Sequence, residues 1–443
     1  MKEDFLYYLW ENRLLNGALE TVQGQPVEII HPGFRNQNSG PDYLEAKIRI
    51  GEQLWAGQVE IHVRTSDWNR HGHQYDKAYR NVVLHVVYEH DRNVNDLPVL
   101  VVRDRFEYSL YHRYEGFLAS QRWIACERRL EEVQAFTRNT WLERMAVERL
   151  EEKSKKVGKL LEANKFDWED TLYRLVLRYF GLKVNNEAFD CLAQLLPVKT
   201  LLKHADNLPQ VEAMLLGCAG FLRRDFQEAY PRLLQREFAA MQAKFGLLAM
   251  PEERWKFMRM RPLNFPTVRL AQLAQVIHQH GCQFSKIKEA ENVSEVKALF
   301  DVSASDYWDT HYRFITKVPP LDRPSPSKGP LPGEEPSAGG PARAKHLGEG
   351  TTDVLMINAV IPLLFTYGQF HKNRAYCEKA LRFLEETGAE DNTVIRHFNA
   401  LGWTADNAMR SQALLHLYNH YCRRKRCLEC GIGNVLLHLI RTA

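Results

Sequence analysis

The sequence has no long uninterrupted apolar run, little net charge and few cysteines, and each shortage excludes something. Its longest apolar stretch, residues 354–367, is interrupted by Asn358 and Pro362. A bilayer core asks for about 20 consecutive apolar residues, so this stretch reads as a buried helix and no membrane partner is expected. The N-terminus, Met1-Lys2-Glu3-Asp4-Phe5, carries acids where a secretory signal places basic residues ahead of an apolar core. The expected location is therefore cytoplasmic. Eight cysteines in 443 residues are too few for a disulfide scaffold, and in the cytoplasm they are thiols or metal ligands. A formal net charge of +4 permits a polyanionic partner without demanding one.

What is present describes a soluble globular chain, 45% hydrophobic and 26% charged. At 443 residues it exceeds one ordinary core, so two or three domains are expected. Residues 4–15 carry Phe5, Leu6, Leu9, Trp10 and Leu14 at helical spacing. Residues 26–30, 43–50 and 54–63 alternate as strands, with Gly51-Glu52 a hairpin turn between the last two. Ser66 or Asp67 caps an expected helix to about Arg80, and strands follow at 81–88 and 97–102. The first three strands predict an antiparallel meander.

From residue 108 the periodicity turns helical, over 141–161, 168–180, 211–222, 232–245 and 268–280. Residues 319–350 are dense in Pro, Gly and Ser and predict a disordered linker or insertion. Helical spacing resumes over 375–387, 392–401 and 411–421. The expected division is an α/β core at 1–107, a helical domain at 108–318, the linker at 319–350 and a helical region at 351–443. No repeat of fixed length appears, so a solenoid is not expected.

Chemistry concentrates in Gly40-Pro41-Asp42 and Gly57-Gln58-Val59-Glu60-Ile61-His62-Val63. Residues two apart on a strand share a face, which groups Gln58, Glu60 and His62 against Val59, Ile61 and Val63. Carboxylates from two adjacent strands, beside a third polar group, suit a divalent cation that activates water on a phosphodiester. The plainer alternatives are that Asp42 ends a turn and that Glu60 and His62 sit on a half-solvated sheet face. His71-x-His73 with Asp76 has the composition of a transition-metal site, but only if Gly72 opens a loop, and a solvated loop is the plainer reading. His85, on an apolar strand, reads as a hydrogen-bonded core residue.

The order of these elements resembles the PD-(D/E)XK nuclease superfamily, whose core is of the restriction-endonuclease type, αβββαβ. The resemblance implies that Asp42 and Glu60, with the Ile61 carbonyl, hold Mg²⁺ or Mn²⁺. His62 stands where that superfamily carries lysine. This leaves a histidine-using nuclease, a relocated lysine such as Lys47, or a scaffold without activity. In the active reading His62 deprotonates or aligns the water and Gln58 helps to hold it, with Glu11 a weaker second contact. Nucleic acid is the implied partner.

The second signal is Cys422-x4-Cys427-x2-Cys430, interleaved with Arg423, Arg424, Lys425 and Arg426. The short Cys427–Cys430 spacing lets two sulfurs meet one ion, Gly431 allows the turn, and basic neighbours favour thiolates. Cys126 is the expected fourth ligand, with Cys377 and His420 as rivals. Cys191, Cys218 and Cys282 read as small buried residues. One cysteine near the core and three at the end resembles the iron–sulfur staple of Cas4-like and AddB-like nucleases, though the spacing differs. Zinc and a [4Fe–4S] cluster both remain open.

Over its whole length the chain resembles a bacterial family of unknown function. The stretches that carry this are residues 38–42, 57–62, Ser66-Asp67-Trp68 with His71-Gly72-His73, Arg261-Pro262-Leu263-Asn264-Phe265-Pro266 with Arg269-Leu270, and the terminal cysteines. Arg261, Asn264 and Arg269 could meet phosphate, but the prolines read first as helix starters, with Arg269 on a solvated face. The aromatic Trp255 to Arg259 segment reads as core rather than a base-stacking surface. The expectation is a metal-dependent nuclease. The alternatives are a non-catalytic nucleic-acid-binding or interaction protein on the same scaffold, and a hydrolase of other substrates with its metal at His71, His73 and Asp76.

Overall fold

A computed structural model describes residues 1–94, 96–315 and 342–439. The chain forms two compact units, Met1–Trp141 with Tyr418–Ala443, and Leu142–Leu417.

The first unit is built on a mixed six-stranded sheet. Helix α1 (Glu3–Glu11) buries Phe5, Leu6, Tyr8, Leu9 and Trp10 on one side. Full burial of side chains such as Phe5 stabilises by about 1.5–3 kcal/mol each. The strands are β1 (Val27–His31), β2 (Phe34–Arg35), β3 (Tyr43–Ile50), β4 (Gln53–Arg64), β5 (Val82–Glu89) and β6 (Val99–Val101). The sheet order is β1-β3-β4-β5-β6, with β2 also on β3. Strands β1, β3 and β4 form the expected antiparallel meander, while β4, β5 and β6 are parallel.

A parallel β4–β5 pair needs a crossover, and the single helix expected at 66–80 is not what supplies it. The crossover is one helical turn, α2 (Asp67–Arg70), followed by 3₁₀ turns at His73–Tyr75 and Lys77–Asn81. Gly72 at φ 77° breaks the helix, and Asp76 caps the second 3₁₀ turn by accepting from the Ala78 N–H at 2.8 Å. Helical spacing alone does not register such a break, because a left-handed glycine stops the helix whatever its flanking pattern.

Helix α3 (Tyr108–Ala119) stacks Tyr114 on Phe5 at 5.7 Å. It therefore belongs with the sheet, although composition changes at residue 107. The compact units divide the chain after Trp141 and after Leu417; of the expected boundaries, 107 falls at the start of α3 and 318 lies outside the described residues.

The second unit is helical around one continuous apolar core. The expected helices are present, among them Trp168–Phe180, Ala229–Phe245, Pro266–His280 and Arg374–Glu386. One helical run, Glu349–Phe370, is 22 residues long with a mean hydropathy of 1.3, enough to cross a membrane by length and composition, and 67% of its apolar window is buried. Of the linker expected at 319–350, residues 319–341 lie outside the described residues. Within residues 342–350, Lys345 and Leu347 are buried and His346 bridges to Ser303, while the rest are exposed. Arg269 is also buried, not on a solvated face, and donates to Asn264, Gln272 and Thr351 at 2.6–2.9 Å. Pro262 and Pro266 open helical turns as expected. Trp255 is buried and donates to the Ala219 carbonyl.

Candidate metal centre

The loop before β3 is tied by one side chain. Asn36 donates to the carbonyls of Ser39 and Pro41 and accepts from the Asn38 N–H. Gly40 takes φ 106°, a region that favours glycine. This turn delivers Asp42 to the head of β3. There the Asp42 N–H donates to Glu60 Oε2 at 3.1 Å, and Asp42 Oδ2 accepts from the Ile61 N–H at 3.0 Å.

Both faces of β4 are buried at this point. Val59 and Ile61 are 0% exposed, and on the opposite face Glu60 and His62 are 4% and 2% exposed. The half-solvated reading of Glu60 and His62 is therefore overturned. Charged groups buried this deeply need partners or a cation.

Those partners are imidazoles. Glu60 Oε1 lies 3.4 Å from His62 Nε2 and 3.2 Å from His73 Nε2. His62 Nε2 is 3.1 Å from His71 Nδ1, and His62 Nδ1 is 2.9 Å from His85 Nε2. Ligand atoms of His62, His71 and His73 all fall within 4.8 Å of one another. The loop that separates His71 from His73 lets both reach one point, which a helix would forbid. His73 Nε2, though near Glu60, makes no aligned hydrogen bond and is buried, as is the unpartnered oxygen of Gln58.

The electrostatics follow from burial. Burial, then the Asp42 charge, pushes the Glu60 carboxyl up to about 8. Burial also raises Asp42, against the Ile61 N–H and the Tyr7 hydroxyl, which lower it. The imidazoles move the other way: burial, then His85, holds His62 far below its ordinary value, and burial, then His73, lowers His85 to about 3. Neutral imidazoles beside carboxylates form a donor set for a divalent ion. Nitrogen-rich sets suit Mn²⁺, Fe²⁺ or Zn²⁺ better than Mg²⁺, which prefers six oxygens. His85 is 0% exposed and is positioned to orient the His62 ring.

Other expected participants stand elsewhere. Glu11 accepts from Tyr43 Oη at 3.1 Å and faces Arg35 at 3.8 Å, so it is already engaged. From the same helix it is Tyr7 that reaches Asp42, at 3.1 Å. The half-buried Glu3, one turn earlier, has its carboxyl raised by burial and then by Asp42. Lys47 is exposed, opposite Ala56 toward the hairpin turn, and is not a relocated catalytic lysine at this centre. Asp76 is used as a cap. Tyr79 stacks on His73 at 3.8 Å, and Trp68 packs edge-on against it. Glu3, Tyr7 and Tyr79 escaped the sequence reading, although the i, i+4 spacing of Glu3 and Tyr7 sets them on one helix face.

Of the cysteines, Cys126, Cys422, Cys427 and Cys430 all belong to the sheet-bearing unit, while Cys377 belongs to the helical one. Cys218 and Cys282 are buried, and Cys191 accepts from Arg254.

Neither the curated proteins nor the solved structures give a match to the chain. A family profile does match, over residues 3–325 and 337–393. Its break falls within the Pro/Gly-rich stretch, and its end precedes the terminal cysteines. By that match the chain belongs to the family described as Protein of unknown function (DUF2851).

Proposed function

We propose that this protein is a metal-dependent nuclease whose sheet is a restriction-endonuclease-like core carrying a histidine-rich centre. The observation that carries the reading is the buried Glu60 Oε1 facing two imidazole nitrogens at 3.2 and 3.4 Å, next to Asp42. Glu60, His62, His71 and His73 would hold the ion, with Mn²⁺ favoured over Mg²⁺ by the nitrogen donors. An ion bound there supplies Lewis acidity to a phosphate oxygen and lowers the pKa of water.

The chain's own residues have separate tasks. His85 Nε2 fixes the His62 ring at His62 Nδ1. Asp42, held by Tyr7 and the Ile61 N–H, keeps Glu60 in place through its own N–H, and its carboxylate adds the negative charge beside Glu60 that a cation at this centre would meet. His71 is the exposed imidazole of the trio, so it is the one a substrate meets first.

A polyanionic substrate is supported by two basic hollows of the same unit. One, of about 720 Å³, is lined by Arg113, Arg122, Arg128 and Arg129, of which Arg122 is paired with Glu127 and Arg129 with Glu132. The other, of about 210 Å³, includes Lys2, Arg35, Arg424, Lys425 and Arg426 beside three acids. Arg35 lies over the Tyr7 ring at 4.6 Å, next to Asp42.

A second reading, nucleic-acid binding without cleavage, is favoured by one observation: both Asp42 oxygens already accept protein donors. Incubation of the protein with single- and double-stranded DNA and RNA, under Mn²⁺, Mg²⁺ or Zn²⁺, separates the two. The nuclease reading expects cleavage that Asp42→Ala and Glu60→Ala both abolish. Tight binding with no cleavage under any ion, unaffected by either substitution, overturns it.

A further inference from the structure

A second cluster in the sheet-bearing unit has no part in the chemistry above. Cys126 precedes a 3₁₀ turn at Glu127–Glu132, Cys422 ends the π-helical Leu417–Cys422, and Cys430 caps the helix Gly431–His438. The terminal segment is fastened over the stretch that carries Cys126. Arg129 donates to the Leu436 carbonyl at 2.7 Å, Arg113 to Leu437 at 2.5 Å, and Lys425 to Leu118 and Ser120 at 2.5 and 2.9 Å. At the far end of the helix, Tyr8 Oη meets His438 Nε2 at 2.8 Å.

The turn is shaped around its sulfurs. A Cβ on Gly433 would lie 2.2 Å from the Cys427 carbonyl oxygen, and one on Gly431 would lie 2.5 Å from the Trp141 ring. Both glycines let the knuckle close. Backbone N–H groups of Gly433 and Ile432 favour the Cys430 thiolate. Arg129 does the same for Cys126 and Lys425 for Cys427.

Three of the thiols, Cys126, Cys422 and Cys427, are also sensitive to others of the set. Burial, then the charges of Cys430 and Cys427, pushes Cys126 up to about 12, and Cys422 is raised by burial, then by Cys430, Cys126 and Cys427. Four thiols of one unit, Cys427 and Cys430 buried and Cys126 and Cys422 half-buried, on a glycine-closed knuckle and beneath a segment that Arg113, Arg129 and Lys425 fasten down, fit an ion-binding set better than an inert core. We infer that Cys126, Cys422, Cys427 and Cys430 bind a thiophilic metal centre that closes the chain's end onto residues 113–129.

The shared chemistry is four thiolates, and either zinc or an iron–sulfur cluster can supply the metal. Among the described residues, no three of these sulfurs meet within the 4.8 Å that gathers the histidine trio. A single zinc with bonds near 2.3 Å would have to draw them inward, whereas a cage of several irons reaches more widely spaced sulfurs.

Metal and acid-labile sulfide analysis of the full chain, purified without oxygen from medium containing both metals, tests this. About four irons with matching sulfide, or about one zinc, per chain beyond any ion at the histidine site supports the centre and names the source. Cys126→Ser and Cys430→Ser should each lose that metal, while Cys377→Ser and Glu60→Ala keep it. Because Glu60→Ala acts only at the other site, failure of one proposal does not decide the other. Parent protein that holds neither metal overturns the inference whether or not the serine variants fold.

Discussion

Asp42 and Glu60 are locked crosswise: the Asp42 N–H donates to Glu60 Oε2, and Asp42 Oδ2 accepts the N–H of Ile61, the residue after Glu60. The pair thus closes β3 onto β4 at the point where the imidazoles gather. Asp42→Ala should leave the buried Ile61 N–H without an acceptor, which costs about 1–3 kcal/mol. Asp42→Asn keeps an acceptor and should retain most of that stability while losing cleavage. Denaturant midpoints and cleavage rates of both variants check the separation; equal destabilisation by both would contradict it.

The buried carboxyl makes the metal-free protein sensitive to pH. Glu60 is pushed to about 8 from an ordinary 4.5, so between those values the folded state binds the extra proton. Stability then falls as pH rises through that window. His62 and His85, lowered from 6.5, act oppositely: below 6.5 the unfolded state binds their protons, so stability rises with pH up to that value. Between pH 6.5 and 8 the Glu60 effect stands without theirs. Chelator-treated protein should lose stability across this interval, and Glu60→Gln should flatten the loss. Urea titrations at several pH values measure both.

The sheet was legible in the sequence because β3 alternates along most of its length: Ala46, Ile48 and Ile50 are buried while Glu45, Lys47 and Arg49 are exposed. Asp42, Glu60 and His62 followed from strand periodicity and a turn. The crossover did not, because Gly72 and the Asp76 cap impose a broken path that spacing cannot reveal. For that reason His71 and His73 read as a separate, solvated motif, although His73 turns back onto Glu60 and His71 onto His62. The Glu3 and Tyr7 contribution was hidden too, since which face of α1 meets Asp42 depends on tertiary packing. Cys422, Cys427 and Cys430 stand out by type and spacing, whereas Cys126 has only its place just past the sheet to single it out from Cys377 and His420.

His85 should act as a positioning residue. Its Nε2 lies 2.9 Å from His62 Nδ1, and loss of such an outer partner weakens metal binding by about 10- to 100-fold. His85→Ala should show that loss in Mn²⁺ titrations. His85→Gln can return a polar group near the Nε2 position and should recover part of it. A purely structural histidine would lower stability in both variants and leave the metal affinity of the folded fraction unchanged.

Gly57 sets how closely β4 and β5 approach. A Cβ there would fall 2.4 Å from Val83 Cγ1 and 2.7 Å from the Asn81 carbonyl oxygen. Gly57→Ala should therefore cost about 1–3 kcal/mol, as overpacking does. It should also weaken metal binding, because the same strand pair aligns Glu60 with His85. Thermal melts with and without Mn²⁺ test the two effects together.

Arg122 and Arg128 are the exposed members of the arginine-lined hollow, and Arg122 is paired with Glu127 at 2.9 Å, which makes Arg128 the variant to test. If nucleic acid lies there, each phosphate contact releases counterions, and the logarithm of affinity falls with the logarithm of salt by roughly 0.9 per contact. Arg128→Glu should weaken binding about equally across sequences and reduce the salt slope by roughly 1. Because Arg128 is not part of the histidine centre, cleavage at saturating nucleic acid should stay near the parent's. Titrations of labelled DNA and RNA at several salt concentrations measure the slope, and an unchanged slope with unchanged affinity removes this hollow from the binding surface.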